Sequence, residues 1–128
     1  MEVFDPLRKK NVTLTPEEEV RQSVIAWLRD TAGVPVTHME SEYPFEYNRR
    51  QYRADVLVFD RTLAPLMLVE CKAPSVTLSS KVIDQVVRYT RVLKVKYILI
   101  TNGLKTHVLG ASAEGGYEFL SGMPALGF

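Results

Sequence analysis

The chain has 128 residues, 46% of them hydrophobic and 24% charged, with a formal net charge of +1. That length suits one domain whose core needs no staple, and a single cysteine, Cys71, excludes an internal disulfide. No apolar run approaches the roughly 18 residues of a membrane span, and the near-neutral charge argues against tight, unaided gripping of nucleic acid.

The N-terminal stretch, MEVFDPLRKKN, has no apolar centre of the secretory type, which with the lone cysteine fits a reducing cytoplasm. The pattern divides residues 1–128 of this one domain into an arm (1–14), a core (15–103) and a C-terminal hairpin and tail (104–128). The arm is expected to be irregular or a short edge strand carrying the basic patch Arg8, Lys9 and Lys10. A helix follows: Thr15 suits the N-cap, Pro16 the first position and Glu18 the third, a capping box, and Gly33 stands where the chain leaves. Val20, Val24, Trp27 and Leu28 form its apolar stripe, and at about 100° per residue Glu17 falls on that stripe. An acid on the inward face makes Glu17 a candidate for more than solvation, with Glu18 as the fallback.

From Val34 to Tyr47 the chain reads as extended, interrupted by Pro35 and Pro44. Residues 53–59 and 66–72 then read as two strands, and Ser79 or Ser80 caps a second helix running to about Lys94, buried through Val82, Val86, Tyr89 and Leu93. The stretch KYILITNGLKTHVLG reads as a hairpin turning at Asn102-Gly103, with one more short strand at 117–120. The order is α-β-β-β-α-β-β, an α/β (α+β) architecture of a mixed sheet flanked by helices.

The two central strands carry charge where apolar residues are expected: Asp55 in the first, Glu70 and Lys72 in the second. With residues 60–65 as their connection, antiparallel pairing puts Asp55 opposite Glu70, and alternation puts Lys72 on the same face. Ala54, Val56, Val58, Val69 and Cys71 form the apolar back. Two adjacent carboxylates repel unless one keeps its proton or a cation joins them. Mg²⁺ suits one or two carboxylates completed by water and phosphate oxygens, and it acidifies a bound water. The plainer reading is a surface salt bridge between Lys72 and Glu70 or Asp55. His38 and His107 lack zinc-ligand spacing, a buried Cys71 is no nucleophile, and no phosphate-binding glycine loop is present.

These residues resemble the PD-(D/E)XK nuclease superfamily, with Asp55 as first metal acid and VECKAP (69–74) as the E-x-K strand. More narrowly, LRKKNVTLTPEEEVRQ, RADVLVFD, LVECKAP, DQVVRY and ILITNG resemble, in order, the N-terminal nuclease domain of type I restriction enzyme R subunits. Arg53-Ala54 stands where the superfamily has its eponymous proline. The resemblance implies a restriction-endonuclease-like sheet and a role for Gln85 and Tyr89, whose Q-x-x-x-Y spacing is similar to the RecB-like signature. It also implies an auxiliary acid from the first helix, here Glu17. The metal set is then Asp55, Glu70 and the Cys71 backbone carbonyl around Mg²⁺, with Mn²⁺ as substitute, and Lys72 supports the attacking water.

Three readings follow. The leading one is an endonuclease hydrolysing DNA phosphodiesters, with Arg49, Arg50, Arg53, Lys81 and Arg88 as DNA contacts, although such clusters are as often plain solvated surface. R subunits carry a helicase-type motor after this domain and none is encoded here, so a motor or specificity subunit is expected from another chain. The second reading is a catalytically silent DNA-binding or assembly module of a restriction or repair complex. The third is an RNA-directed nuclease; the sequence displays no aromatic stacking stripe of the kind single-strand readers use.

Overall fold

The computed structural model describes residues 1–128. Two strands, β1 (Glu2–Asp5) and β2 (Lys10–Thr13), pair as a separate antiparallel hairpin. The helix α1 (Pro16–Asp30) follows, then a 3₁₀ turn at Val36–His38. Strands β3 (Met39–Tyr47), β4 (Arg50–Phe59) and β5 (Pro65–Cys71) precede α2 (Ser80–Tyr89), and β6 (Tyr97–Thr101), β7 (Thr106–Ala111) and β8 (Tyr117–Phe119) complete the chain. The architecture is mixed α+β: six strands in the order β3-β4-β5-β6-β7-β8, two helices, and the hairpin. Every pairing in the large sheet is antiparallel except β5 with β6, which α2 connects as a crossover.

The expected order is therefore embedded in a longer one that begins β-β-α. Residues 1–14 are a hairpin rather than an irregular arm because Asp5 organises the turn. Its carboxylate accepts from the Leu7 and Arg8 backbone N–H groups and pairs with the Arg8 side chain. Burial pushes the Asp5 pKa up, but these bonds outweigh it and hold the carboxyl below the usual range.

Helix α1 starts as expected. Pro16 opens it, and the Thr15 hydroxyl accepts from the Glu18 N–H at 3.1 Å. The reciprocal half of the capping box is absent, since the Thr15 N–H goes to Thr13 O and the Glu18 carboxylate to arginines. The buried face runs through Glu18, Arg21, Ile25 and Leu28, with Val20 beside it. Trp27, expected inside, is 39% exposed. The stripe was misplaced because two inward residues are polar, which an apolar count cannot register.

Val56, Val58, Met67, Val69, Cys71 and Leu99 face α1 and pack with Ile25 and Leu28. On the other face Leu57, Leu68, Ile98 and Ile100 pack with Val86 of α2 and with Leu93. Ala54 joins this second cluster, not the first as alternation suggested. Helix α2 stops at Tyr89, shorter than expected, and Leu93 reaches the core from the turn beyond it. The β6–β7 connection spans four residues, with Thr101 opposite Thr106. Asn102 folds it by accepting from the Leu104 and Lys105 N–H groups, and Gly103 takes a φ of +85°.

Candidate active site

The register of β4 against β5 runs Val56 to Val69, Leu57 to Leu68 and Val58 to Met67. One step further is Asp55 and Glu70, as expected, but here a side chain replaces the backbone ladder. Asp55 Oδ2 accepts from the Cys71 N–H at 2.7 Å. Its Oδ1 accepts from Arg21 Nη2, also at 2.7 Å. Both Asp55 and Glu70 are buried, at 5% and 8% exposure.

Glu70 Oε2 has no hydrogen-bond partner. Burial, then the charge of Asp55 and a hydrogen bond shared with it, push the Glu70 pKa well above the ordinary range, and Lys72 only partly offsets them. The crowding of two buried carboxyls thus disfavours the charged form of Glu70. Lys72 lies one residue past β5, where its N–H donates to Thr101 O at 2.9 Å, extending the parallel ladder. The loop that follows is fastened by Asn102, whose Nδ2 donates to Val76 O at 2.9 Å.

The other expected residues divide between two sides. Glu70, Lys72, Lys81, Gln85, Arg88 and Tyr89 line one cleft of about 330 Å³. Arg88 donates to Gln85 Oε1 at 3.2 Å. Burial raises the Tyr89 phenol pKa, with Gln85 opposing and Glu70 adding to the rise. Glu17 lies on the α1 side, in a separate polar cleft with Glu18, Arg21 and Arg8. Its side chain is half exposed, so the inward acid of α1 is Glu18 and the helical phase assigned to Glu17 is corrected. Glu17 still senses the site: burial and then Asp55 raise its pKa, while Arg21 and Lys72 lower it. Arg50 lines a neighbouring cleft with Gln85 and Arg88. Arg49 and Arg53 line neither of these clefts. Arg49 sits at the β3–β4 turn with φ +62°, and exposed Arg53 pairs with Glu42 at 3.7 Å.

Arg21 went unrecognised in the sequence. Its guanidinium, 9% exposed, reaches Asp55 at 2.7 Å, Glu18 at 3.2 Å, Glu42 at 3.6 Å and Glu17 at 4.0 Å. Arg8 of the hairpin turn backs it, pairing with Asp5, Glu18 and Glu42. The available signal was spacing: Glu17 and Glu18 stand four and three residues before Arg21, the geometry of same-face helical pairs.

A divalent cation fits this donor set. Six carboxylates (Asp5, Glu17, Glu18, Glu42, Asp55 and Glu70) are coupled here to four cations, Arg8, Arg21, Arg53 and Lys72. Of these acids only Glu70 takes part in no ion pair, and it keeps an orphaned buried oxygen. No third Asp, Glu, His or Cys side chain completes a cluster, so Asp55 and Glu70 would hold the ion and leave its other positions to backbone, water and substrate oxygens. Mg²⁺ favours that division. Cys71 itself is fully buried and its thiol pKa is raised by that burial, so thiolate chemistry is disfavoured.

Fold and site together define a helix-flanked mixed sheet with paired carboxylates and a lysine at the end of its central hairpin. The family model for the type I restriction enzyme R protein N terminus matches residues 16–124, and the chain belongs to that family. No curated protein gives a significant match. No helix is long and apolar enough to cross a membrane.

Proposed function

We propose that this chain is a metal-dependent endonuclease domain of the restriction-endonuclease-like fold, hydrolysing DNA phosphodiesters with Mg²⁺, or Mn²⁺ in its place. The observation that carries the reading is the Asp55–Glu70 pair, two buried carboxyls on adjacent strands with an orphaned Glu70 oxygen, two residues before Lys72. A structural salt bridge would pair Lys72 with one of the two acids, and Lys72 takes part in none of the ion pairs. When bound, the ion supplies an acidified water and stabilises charge on phosphorus.

The protein's own groups do the rest. Arg21 and the Cys71 N–H fix Asp55 from opposite sides. Glu70, with its unpartnered oxygen, would hold the ion together with Asp55. Lys72, anchored by its backbone to β6, orients the water and offsets charge developing on the phosphate. Gln85 and Tyr89 border the cleft that receives the strand, and Arg88, Lys81 and Arg50 meet its phosphates. Glu17 holds water from the open side. A motor or specificity subunit delivers the DNA, which accords with the near-neutral charge.

The test is cleavage of supercoiled plasmid and of single-stranded DNA in Mg²⁺, Mn²⁺ or EDTA, beside folded Lys72→Ala and Asp55→Asn. Metal-dependent cutting by the wild type, absent from both variants, supports the proposal. Cutting that survives both variants, or no cutting by the wild type even with its motor subunit, refutes it.

A further inference from the structure

Beside the Glu70–Lys72 cleft lies a second one of about 410 Å³, within the roughly 300–1,000 Å³ of small-ligand sites. Gln85 and Arg88 line both, so the two adjoin along α2. The second cleft is built from Tyr47 and Tyr52 of the β3–β4 hairpin together with Arg50, Arg88 and Arg91. None of these three arginines takes part in any ion pair of the molecule. The sequence displays no aromatic stripe, but the fold assembles an aromatic cluster at this cleft. Residues far apart in sequence meet: Tyr52 lies 5.0 Å from Tyr89 and 5.7 Å from Phe45, nearly parallel to the latter. Tyr47 stands edge-on to Tyr89 at 6.3 Å, with Arg91 Nη1 donating to its hydroxyl at 3.4 Å.

Rings held by other rings are pre-organised, and uncompensated guanidinium groups around them select an anionic, flat ligand. A nucleotide has both properties, and only an unpaired base exposes a face for stacking. We infer that this cleft holds an unpaired DNA base next to the scissile phosphate, stacked on Tyr47, with Arg50 and Arg91 on the flanking phosphates. Its location next to the cut rests on the nuclease reading. It adds to that reading a substrate class: single-stranded or locally opened DNA.

The experiment measures binding in EDTA, where no cutting occurs, by fluorescence anisotropy of a single strand of about 12 nucleotides and of the matching duplex. Tyr47→Leu should weaken single-strand binding about five- to 150-fold, leave duplex binding within about twofold, and bind ordinary and abasic strands alike. Tyr47→Phe, which keeps the ring, should match the wild type. Should Tyr47→Leu fail to fold, Arg91→Gln takes its place, with a salt slope shallower by about 0.7 on the single strand as the expected result. Unchanged single-strand affinity, equal loss on strand and duplex, or no binding by the wild type overturns the inference. The cleavage assay with Lys72→Ala is read separately. A Tyr47 effect without cutting even in the presence of the motor subunit sinks the nuclease reading alone, and cutting without a Tyr47 effect sinks this inference alone.

Discussion

Arg21→Met tests the electrostatic core of the site. The substitution keeps the aliphatic stem and removes a guanidinium that contacts Asp55 at 2.7 Å and Glu18 at 3.2 Å. Glu18 retains Arg8 at 2.7 Å, so the loss falls mainly on Asp55, which is 5% exposed and keeps only the Cys71 N–H. Removing one partner of a buried pair costs about 3–5 kcal/mol, because the other charge stays buried without compensation. With Glu18 still served, the lower end applies, about 3 kcal/mol, or roughly 10 °C in Tm for a domain of this size. Urea unfolding in EDTA measures it. Asp55→Asn added to Arg21→Met should recover part of the loss, with a coupling of about 1–3 kcal/mol. Mn²⁺ should stabilise Arg21→Met more than the wild type, since it supplies the missing countercharge. A loss below about 1 kcal/mol, or strict additivity in the double variant, would refute the reasoning.

Two further outcomes follow from the same geometry. The folded-state pKa of Glu70 is raised above the ordinary value of 4.5, so its stability contribution is full below that value and is lost as pH rises through the folded pKa. Glu70→Gln, a neutral isostere, should therefore match the wild type in acid and exceed it increasingly toward neutral pH, in EDTA; a pH-independent gap in Tm would contradict this. Asn102→Ala removes three hydrogen bonds, to Val76 O and from the Leu104 and Lys105 N–H groups. It should cost roughly 2–4 kcal/mol and speed amide exchange in the loop after Lys72, whereas unchanged exchange would mean that Asn102 does not hold that loop.

The central hairpin was readable because its signals agree. Val56, Val58, Val69 and Cys71 alternate with charged or opposite-face residues, and the short connection leaves one register that buries them. The start of α1 was readable through Thr15 and Pro16, which act locally. The failures share a cause. Glu18 and Arg21 are buried because they satisfy one another and Asp55, a fact of tertiary structure that hydrophobic periodicity scores as surface. The hairpin at residues 1–14 depends on Asp5 bonding three and fewer residues ahead, and its strands are too short to show a period. The aromatic cluster joins Phe45, Tyr47, Tyr52 and Tyr89 only once β3, β4 and α2 are packed.

Those failures also reveal how the site is held. Helix α1 has an apolar end, Ile25 and Leu28, that docks on the sheet, and a polar end, Glu18 and Arg21, that meets Asp55 in the middle of β4. Docking the apolar end fixes the helix, so the position of Arg21 and the aim of Asp55 follow from core packing. The hairpin closes the circuit from the opposite direction, since Arg8 bridges Asp5 to Glu18 and the family match begins only at residue 16. An uninterrupted chain of opposite charges thus runs Asp5, Arg8, Glu18, Arg21, Asp55. Within such a chain each guanidinium is shared between carboxylates, so none of the acids is fully neutralised. The proposed uptake of a divalent ion would draw on that incomplete compensation: a fully paired Asp55 would have no charge left to offer, and an unpaired one would not stay buried.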